Sequence, residues 1–383
     1  MKVLFFDHSP VFGGAEKSLL AFLPLLNEPV ETILLLADNS RIIPEAAKLR
    51  IKYRTISIGT RLANITQRKV IFQALDPRLW MELIKFQSEL SEICRTESPD
   101  VLYANTFKAA ALIGLNRNKP KRQLVWHIRD IFAGKAGALL WCLGLLTHPK
   151  IIAVSRTASG QPFLSWPGCR PQVVYNGIDH PQWRQKSGET GTAEIKSRLI
   201  AASGETLIAC FGQLASWKGQ EHAVAALSVL RKKGINCKLL LVGDAIFADK
   251  SYPQKLRDLS SSLGVSDSVM FIGWVDNPAP YMAAADIIVH MPVKPEPFGR
   301  VLVEAMSLGK PVVAARSGAI PEIIEDGKTG ILCTPDELPF ILEKLIYDPG
   351  KAKGMGEKAR QGVERHFGIA ETANGIQKIL TEI

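Results

Sequence analysis

Two carboxylates with seven residues between them are the strongest chemical signal in this chain of 383 residues. Glu296 lies in a loop between Pro295 and Pro297, and Glu304 lies in an apolar, helix-favouring run that starts near Gly299. The start of a helix offers unpaired backbone N–H groups and a partial positive charge, which together attract anions. The spacing therefore suits a ligand with phosphate in its middle and hydroxyl groups at both ends, as in a nucleotide sugar. An ordinary helix with one capping acid and one surface acid fits the spacing equally well.

A lysine at a second junction between a loop and a helix would supply a matching positive charge. The segment from Phe211 to Gly219 follows a predicted strand, and Lys218 opens the helix after it. Ligands of open α/β folds bind beyond the carboxyl ends of the strands. We therefore interpret Lys218 as a phosphate ligand, with a solvated surface lysine as the alternative.

Two adjacent glycines follow the first predicted strand. Gly13 and Gly14 let the backbone approach a ligand closely, and the helix that begins near Ala15 offers N–H groups to a phosphate. The pair is not the dinucleotide-binding fingerprint, which needs a third spaced glycine. A tight turn from strand to helix, without a ligand, is the alternative.

Polar side chains also end two predicted strands in the first half of the chain. His127, with Arg129 two residues later, ends one strand, and Asn105 with Thr106 follows another. A histidine at a strand end can hydrogen-bond a sugar or transfer a proton. A structural histidine with satisfied hydrogen bonds is the alternative.

The sequence does not predict a metal site or a disulfide framework. It contains neither an Asp-x-Asp pair nor a cluster of His and Cys with metal-ligand spacing, so we expect no dedicated divalent-metal site. The cysteines are scattered, mostly in apolar runs, and are expected to be reduced thiols of a cytoplasmic protein. They are Cys94, Cys142, Cys169, Cys210, Cys237 and Cys333.

The elements that position these residues alternate between short apolar strands and helices. Near-continuous apolar strands separated by helical stretches, such as Ala15–Leu26 and Leu79–Arg95, are typical of a parallel sheet covered on both faces. The predicted strands are Val3–Phe6, Thr32–Leu36, Tyr53–Ile58, Val101–Ala104, Leu124–Ile128, Ile151–Val154, Gln172–Tyr175, Leu207–Phe211, Cys237–Val242, Val269–Ile272, Ile287–His290 and Val312–Ala315.

Two consecutive α/β domains follow from this alternation. The turn from Asn176 to Asp179 ends the first half, and the polar stretch from Gln182 to Thr192 is predicted to be a linker. We expect a Rossmann-like domain over residues 1–181, a second one over residues 192–366 and a short amphipathic helix within residues 367–383. Two doubly wound domains would leave a central cleft between their sheets.

Positive charge is concentrated in the first half of the chain. The net charge is +10, and residues 1–180 contain 23 Lys and Arg against 14 Asp and Glu. Basic clusters occur in residues 50–54, 61–69 and 117–122. A basic half implies an anionic partner such as lipid headgroups, a phosphorylated acceptor or nucleic acid, and an inert solvated surface is the alternative.

The apolar segments are too short to cross a membrane. The longest, from Ala136 to Thr147, has about a dozen residues where a span needs about 18. Its length favours a buried helix, with an interfacial role as the alternative. The early Asp7 argues against a signal peptide. We therefore expect a cytoplasmic protein that can act at the inner face of a membrane.

Taken together, these segments resemble the retaining glycosyltransferases of family 4, which have the GT-B fold. The resemblance extends over essentially the whole chain and is strongest from about Ala209 to Cys333. Each motif is weak alone, but they occur in the family's order: Gly13-Gly14, His127, Ser155, Asn176-Gly177-Ile178-Asp179, Lys218-Gly219, Gly243, Gly273-Trp274-Val275, Glu296 to Glu304 and Pro321-Glu322.

The resemblance implies that the helix after Glu296 binds a nucleoside-diphosphate sugar. Glu296 would bind hydroxyl groups of the transferred sugar, and the N–H groups of Phe298 and Gly299 would bind the same sugar. The N–H groups of Val301 and Leu302 would bind the distal phosphate.

The remaining implied roles are divided between the two domains. Glu304 would hold the ribose hydroxyls, and Lys218, helped by Gly14, would neutralise the diphosphate leaving group. His127 would contact the donor sugar from the acceptor domain, and the final helix, from about Ile369, would pack back onto that domain. The implied sets are Glu296, His127 and Lys218 for catalysis, Gly13, Gln213, Gly243, Val275 and Arg300 as further donor contacts, and Asn105, Thr106 and Arg129 toward the acceptor.

Two positions depart from the family's pattern. The family usually has an arginine five residues before the lysine, and here Gln213 occupies that position, which leaves one cation fewer for the diphosphate. A hydrogen bond to a charged group contributes roughly 1.5–3 kcal/mol against about 1 for a neutral pair. Arg300 is a candidate replacement, with a solvated surface arginine as the alternative. Ala319 stands where the family commonly has a second glycine.

The sequence therefore predicts a metal-independent transferase without a bound cofactor. It would move a hexose-type unit from a nucleoside-diphosphate sugar to a hydroxyl group of a glycan or lipid-linked glycan, with retention of configuration. No nucleic-acid partner is expected. The alternatives are another GT-B enzyme, such as a sugar phosphorylase or a nucleotide-sugar epimerase, and a degenerate GT-B module that binds an anionic polymer, nucleic acid or a membrane.

Overall fold

The computed structural model describes residues 1–63, 76–116, 123–132, 135–199, 204–246 and 249–383. The chain divides into two compact units, one of Met1–Asn176 with Ile369–Ile383 and the other of Gly177–Gly368. The basic cluster at 117–122, and residues 64–69 of the cluster at 61–69, lie outside the described residues. In the cluster at 50–54, Lys52 and Arg54 both pair with Glu97.

A parallel sheet forms the centre of the first unit, with its described strands in the order β3-β2-β1-β4-β5-β6-β7. Both faces of this sheet are covered, as the apolar strands require: the ring of Phe5 packs against Phe22 on one face, and Phe6 packs against Phe86 on the other. The strands are β1 (Lys2–Asp7), β2 (Glu31–Ala37), β3 (Tyr53–Ile56), β4 (Val101–Ala104), β5 (Gln123–Ile128), β6 (Lys150–Ala153) and β7 (Gln172–Val173).

A second parallel sheet forms the centre of the other unit, in the order β10-β9-β8-β11-β12-β13. In both sheets the first strand of the unit lies inside the sheet and the order reverses beside it, which creates the switch point where α/β folds bind ligands. The strands are β8 (Thr206–Phe211), β9 (Cys237–Val242), β10 (Val269–Gly273), β11 (Ile287–His290), β12 (Val312–Ala315) and β13 (Ile331–Cys333).

Helices connect the strands, and several begin at a capping side chain directly after a strand. Thr106 follows β4 and Ser155 follows β6, and each accepts a hydrogen bond from the backbone N–H three residues later. The helices are α1 (Gly14–Phe22), α2 (Ile43–Lys48), α3 (Thr60–Ala63), α4 (Pro77–Glu97), α5 (Phe107–Gly114), α6 (Lys135–Thr147), α7 (Arg156–Ser159), α8 (His180–Ser187), α9 (Glu189–Leu199), α10 (Gln220–Lys232), α11 (Tyr252–Ser262), α12 (Ala279–Ala284), α13 (Arg300–Ser307), α14 (Ile320–Ile323), α15 (Leu338–Tyr347), α16 (Pro349–His366) and α17 (Ile369–Thr381).

The last helix, α17, belongs to the first unit although it follows the second in sequence. Its apolar side chains, including Ile376 and Leu380, join the buried cluster around Phe5 and Leu34. The hydroxyl group of Thr372 donates to the carbonyl oxygen of Tyr175 at 2.8 Å. The predicted fold, with two Rossmann-like parallel-sheet domains and a helix that returns to the first, is confirmed.

Three local predictions were wrong. The stretch predicted to be a linker, 182–192, lies in α8 and α9, because Asp179 caps α8 and both helices pack on α12. Strand β13 was missed because only three residues, Ile331–Cys333, form it. The apolar segment from Ala136 to Thr147 forms α6 but buries only one side of that helix, since Trp141 and Leu146 are exposed.

Candidate functional site

Glu296 and Lys218 form an ion pair at the carboxyl edge of the second sheet. The Nζ atom of Lys218 lies 2.7 Å from Oε2 of Glu296, and Nε2 of His290, the last residue of β11, lies 3.2 Å from the same oxygen. Burial would raise the pKa of Glu296, but the Lys218 ammonium group and the His290 contact outweigh burial and hold that pKa well below its usual range. The side chain is therefore a carboxylate at neutral pH, fixed from two sides.

The loop that follows β12 holds the backbone of Glu296. The N–H of Ala319 donates to the Glu296 carbonyl oxygen at 2.8 Å. Gly318 has a φ of 58°, and a Cβ atom there would overlap the backbone of Glu296. Only glycine tolerates both the positive φ and this close approach. The Ser317-Gly318-Ala319 turn therefore packs against the loop that carries Glu296 and fixes its backbone.

Lys218 is positioned by contacts between the loops that follow β8 and β11. It ends the 3-10 turn Ser216–Lys218, and Gly219 comes next with a φ of 69°. A Cβ atom on Gly219 would overlap the carbonyl oxygen of Met291. The N–H of Val293 also donates to the carbonyl oxygen of Trp217 at 2.9 Å. These contacts fix the backbone on both sides of the Lys218–Glu296 pair.

Helix α13 begins directly after this loop. Gly299 caps it with a φ of 105°, and the N–H of Leu302 donates to the Gly299 carbonyl oxygen at 2.9 Å. Phe298 and Leu302 are buried, so they anchor the first turn in the protein core. The other amides of this turn still have no carbonyl four residues earlier within the helix, as at any helix start. The junction is therefore a candidate anion site beside Lys218.

Glu304 and Arg300 pair along α13. The Nη2 atom of Arg300 donates to Oε1 of Glu304 at 3.1 Å. The Nη1 atom of Arg300 is buried and has no hydrogen-bond partner among the described residues. A buried guanidinium donor without a partner is costly, so its presence at a candidate anion site points to a ligand. This observation distinguishes Arg300 from a solvated surface arginine.

Helix α8 braces α13 from its other end. The indole N–H of Trp183 donates to the backbone carbonyl oxygen of Glu304 at 3.0 Å. The Nδ1 atom of His180 lies 2.9 Å from Oγ of Ser307. Burial is the largest cause that lowers the pKa of His180, so this contact is made by a neutral imidazole. Both contacts hold α13, and with it Glu304, in place against α8.

Glycines lie at the carboxyl ends of three neighbouring strands of the second sheet, β8, β9 and β10. Gly212, Gly243 and Gly273 follow or end β8, β9 and β10, and all three have positive φ angles. The N–H of Gly243 donates to the Gly273 carbonyl oxygen at 2.8 Å, and a Cβ atom on Gly243 would overlap the Gly212 carbonyl oxygen. Gln213 follows Gly212, and its carbonyl oxygen accepts from Nε2 of Gln220 at 2.8 Å. Val275 is half-buried just beyond Gly273.

His127 is the penultimate residue of β5 in the first unit and accepts from two donors. The hydroxyl group of Tyr103 lies 2.5 Å from Nδ1 of His127, and Nη2 of Arg129 lies 3.2 Å from the same atom. Because a guanidinium group can only donate, Nδ1 accepts and the ring proton is on Nε2. Burial, together with the charge of Arg129, holds the pKa of His127 well below its usual range. The Nε2–H is buried and has no partner among the described residues.

Asn105 and Arg129 lie in a buried network that fixes the ends of β1, β4 and β5. Asn105 donates to Asp7 at 2.6 Å and accepts from Nε of Arg129 at 2.8 Å. Arg129 also donates to the side chain of Asn176 at 2.7 Å. Burial, and then the neighbouring carboxylate of Glu16, raise the pKa of Asp7 to about 7. The network therefore holds the Arg129 guanidinium against His127.

The two glycines of the first unit meet an acid that the sequence analysis did not single out. The N–H of Gly13 donates to the carboxylate of Glu16 at 2.9 Å, and Gly14 is the first residue of α1. On the neighbouring strand end, the Thr106 hydroxyl group caps α5 and lies 2.7 Å from Nδ1 of His8. The Gly13 N–H, the Glu16 carboxylate, the Thr106 hydroxyl group and the His8 ring therefore each have a protein partner in the structure.

The predicted site residues thus fall into two groups, one in each unit. Glu296, Lys218, Arg300 and Glu304 gather at the carboxyl edge of the second sheet, and His127 lies at that of the first. The sequence analysis missed His290 and Tyr103, which contact the side chains of Glu296 and His127, and Trp183, which donates to the backbone of Glu304. The position of His290 at a strand end was an available signal, whereas Trp183 and Tyr103 had none.

No metal ligand set or membrane span was found in the described part of the chain. Among those residues, no group of three or more His, Cys, Asp or Glu side chains is arranged to hold a metal ion. None of the described helices combines the length and the apolar character that a membrane crossing requires.

Comparison with known proteins gives matches in sequence and in structure. Residues 192–362 match the family described as glycosyl transferases group 1. The N-acetyl-alpha-D-glucosaminyl L-malate synthase of Bacillus anthracis is 28% identical over 297 residues, which cover 73% of this chain and 74% of that protein. A GDP-mannose-dependent alpha-(1-6)-phosphatidylinositol monomannoside mannosyltransferase of Mycobacterium tuberculosis is 30% identical over 209 residues, 51% of this chain and 52% of that protein.

A solved structure matches the whole chain. HepE of Anabaena, crystallised with UDP, is 27% identical with a TM-score of 0.83, and both chains are covered completely. The same protein with UDP-glucose gives 26% identity and a TM-score of 0.84. The whole fold is therefore shared with HepE, whereas the chain spans between about half and three quarters of the length of the two sequence relatives.

Proposed function

We propose that this chain, whose residues 192–362 match the glycosyl transferases group 1 and whose fold is GT-B, transfers a hexose-type sugar from a nucleoside-diphosphate sugar to a hydroxyl group, with retention of configuration. The acceptor hydroxyl would belong to a glycan or a lipid-linked glycan. The observation that carries the proposal is the cluster of Lys218, Glu296, Arg300 and Glu304 around the start of α13.

The cluster has the chemistry that such a donor requires. A diphosphate beside the start of α13 would receive backbone N–H groups together with the positive charge of Lys218. Glu296, on one side of that anion site, would accept hydrogen bonds from sugar hydroxyl groups. Glu304, about one and a half turns along the helix, would accept them from the ribose. HepE, which shares the whole fold, binds UDP-glucose, and this supports uridine as the first nucleotide to test.

The reaction would depend on stabilisation of the leaving group. The bond between the anomeric carbon and the diphosphate oxygen breaks, and the bond to the acceptor oxygen forms on the same face of the sugar. The proton of the acceptor hydroxyl group passes to a phosphate oxygen of the leaving group. Lys218 and the start of α13 stabilise the charge that develops on the diphosphate, which is the electrostatic form of catalysis. Glu296 holds the sugar in the reactive orientation.

His127 would contribute a hydrogen bond instead of a proton. Its pKa is well below the usual range, and its proton is on Nε2 because Nδ1 accepts from Arg129. An uncharged imidazole whose Nε2–H has no partner in the described part of the chain can donate to a sugar hydroxyl group throughout the neutral pH range. Asn105 and Arg129 would support the acceptor side indirectly, because their side chains hold this ring and its strand. Contacts of Asn105, Thr106, Arg129 and the Gly13-Gly14 turn with ligands remain predictions.

Arg300 is the proposed replacement for the cation that Gln213 does not supply. Its Nη1 atom is buried without a partner in the described part of the chain, beside the first turn of α13. A phosphate oxygen would satisfy that donor with a charge-assisted bond. With Lys218 and Arg300 both available, the proposed site needs no divalent cation, so activity should survive EDTA treatment.

A panel of nucleotide sugars tests this function. Hydrolysis or transfer would be measured for UDP-glucose, other UDP-sugars and GDP-mannose, with thermal shift as the binding readout. One donor should raise the unfolding temperature and be consumed by the wild-type protein but not by Glu296→Ala. Binding without turnover of any donor would favour the degenerate binding module, which Gln213 alone supports. Formation of an epimer without an acceptor would favour the epimerase.

Two further elements of the proposal concern location. The basic first half of the chain supports contact with an anionic membrane surface, and we place the protein at the inner, cytoplasmic face of a membrane. Equal recovery of the protein with neutral and anionic vesicles would contradict that contact.

A further inference from the structure

The outward face of α6 carries no charged side chain among the positions from 137 to 147 whose exposure the structure describes. Its exposed positions carry apolar or thiol side chains, and Leu146 is 79% exposed and Trp141 40% exposed. At 100° per residue they form one continuous stripe along the helix. A helix on a soluble domain normally presents polar side chains to water at such positions. The exposed residues are Ala138, Leu139, Trp141, Cys142 and Leu146.

A second apolar stripe occurs on the first turns of α4. Trp80, Met81 and Ile84 are 52%, 62% and 68% exposed. Arg78 and Lys85 are exposed beside them, and none of the exposed positions between residues 77 and 88 carries an acid. The stripe therefore combines an aromatic ring and two aliphatic side chains with two positive charges.

Both helices belong to one layer on the same face of the first sheet. Phe86 of α4 packs on Phe6 of β1, and Nε2 of Gln87 donates to the carbonyl oxygen of Leu112 in α5 at 2.9 Å. A Cβ atom on Gly114, at the end of α5, would lie 3.7 Å from Leu143 of α6. The layer therefore runs α4, α5, α6, and the two apolar stripes lie on its outer side.

The first turns of α4 extend toward the carboxyl edge of the sheet. Helix α4 ends at Glu97, shortly before β4 begins at the opposite edge. Its 21 residues span about 30 Å, which exceeds the length of the four-residue strand beside it. Trp80, Met81 and Ile84 therefore lie toward the carboxyl edge of the sheet, where β5 ends just after His127.

We propose that α4 and α6 together form a docking surface for a bilayer with anionic headgroups. Tryptophan and aliphatic side chains on a helix face, flanked by Lys and Arg, match the interface between headgroups and acyl chains. The excess positive charge of residues 1–180 attracts anionic lipid over a longer range. A second copy of the chain is a poorer occupant, because a two-fold interface would bring the same positive face against itself.

This surface rests on the proposed function, because it would bring the sheet edge that holds His127 to an acceptor hydroxyl carried by a lipid. It names the part of the chain that contacts the membrane. Vesicle binding and nucleotide binding are nonetheless separate measurements, since the candidate nucleotide site lies in the second unit.

Flotation of the full chain with vesicles tests the surface. The probes are vesicles of phosphatidylcholine alone and of phosphatidylcholine mixed with phosphatidylglycerol. Wild-type protein should float at least ten-fold better with the anionic mixture. The double variant Trp141→Glu, Leu146→Glu and the single variant Ile84→Glu should each lose most of that binding. The matched control is Tyr347→Glu, in the second unit, where a 71% exposed aromatic ring is replaced in the same way.

The outcomes separate the surface from the function. Variants that fail to float but still bind UDP and unfold at the wild-type temperature support the surface. Wild-type protein that binds a donor of the nucleotide-sugar panel and does not float overturns the surface while the proposed function stands. Wild-type protein that floats but binds no donor of that panel overturns the function alone. A dimer in the absence of lipid that Trp141→Glu, Leu146→Glu converts to monomer would identify the face as a contact between copies and overturn the membrane proposal.

Discussion

Lys218 and Glu296 are 78 residues apart in sequence, and their side chains form an ion pair of 2.7 Å. Each is mostly buried, with side-chain exposures of 24% and 11%. A diphosphate beside Lys218 would compete with Glu296 for the same ammonium group. Donor binding would then free the Glu296 carboxylate for the sugar, so one contact would link nucleotide binding to sugar binding.

Glu296→Gln should reduce turnover much more than nucleotide affinity. The amide keeps the size of the side chain but loses the negative charge that binds the sugar hydroxyls, and loss of one such electrostatic contact typically costs about 10²–10³ in kcat. Steady-state kinetics and the Kd for UDP would be measured in parallel. Glu325→Gln, an exposed acid of the same unit, is the control. Wild-type turnover by Glu296→Gln would remove Glu296 from the mechanism.

Arg300→Met should weaken UDP binding by about 10- to 100-fold if Arg300 contacts phosphate, as expected for one charge-assisted bond. Uridine, which has no phosphate, should bind both proteins alike. Isothermal titration with the two ligands checks this. An equal loss for UDP and uridine would instead mean that Arg300 acts by holding Glu304, its partner at 3.1 Å.

His127→Ala should lower kcat/KM by about 5- to 10-fold, the value of one neutral hydrogen bond. The pH profile should keep its shape between pH 6 and 8, because the pKa of His127 is already well below that range. His127→Gln, whose amide can also donate, should recover part of the loss. A wild-type limb near pH 6.5 that disappears in His127→Gln would show that the histidine titrates and would contradict the neutral role.

The pH dependence of stability should report the low pKa of Glu296. Because the folded-state pKa lies below the unfolded value of about 4.5, the unfolded chain binds more protons in acid. Stability from this group is therefore complete above pH 4.5 and is lost as the pH falls toward the folded-state pKa. Calorimetry between pH 3 and 6 should show a shallower decline for Glu296→Gln than for wild type. Parallel declines would mean that Glu296 does not carry this dependence.

Gly318→Ala should destabilise the second unit and impair catalysis, because its Cβ atom would overlap the backbone of Glu296. A positive φ alone costs roughly 1–2 kcal/mol for a residue with a Cβ atom. Gly327→Ala supplies the matched control, since Gly327 has a φ of 74° and open space around its Cβ position. Both variants should lose stability. Only Gly318→Ala should lose more turnover than its unfolded fraction explains. Equal turnover in the two variants would show that the close packing of Gly318 on Glu296 is not needed for catalysis.

The sequence by itself determined the strands, the two Rossmann-like units and the elements that carry the acids. Apolar runs, glycines and prolines act locally, so the loop at Glu296 and the helix at Glu304 were predictable from a few neighbouring residues. The order of the motifs predicted the resemblance to group 1 glycosyltransferases, which residues 192–362 match. Even so, β13 was missed because only three residues form it, and α8 and α9 were missed because the stretch from Gln182 to Thr192 is polar and contains glycine.

Only the tertiary structure decided which side chains meet. The pairing of Lys218 with Glu296 depends on the packing of loops after β8 and β11, which no local pattern encodes. The same holds for Arg129, which turns inward to fix His127, and for Trp141 on the outward face of α6. In each case the direction of a side chain follows from how distant strands and helices pack around a shared core, and that packing is a property of the whole unit.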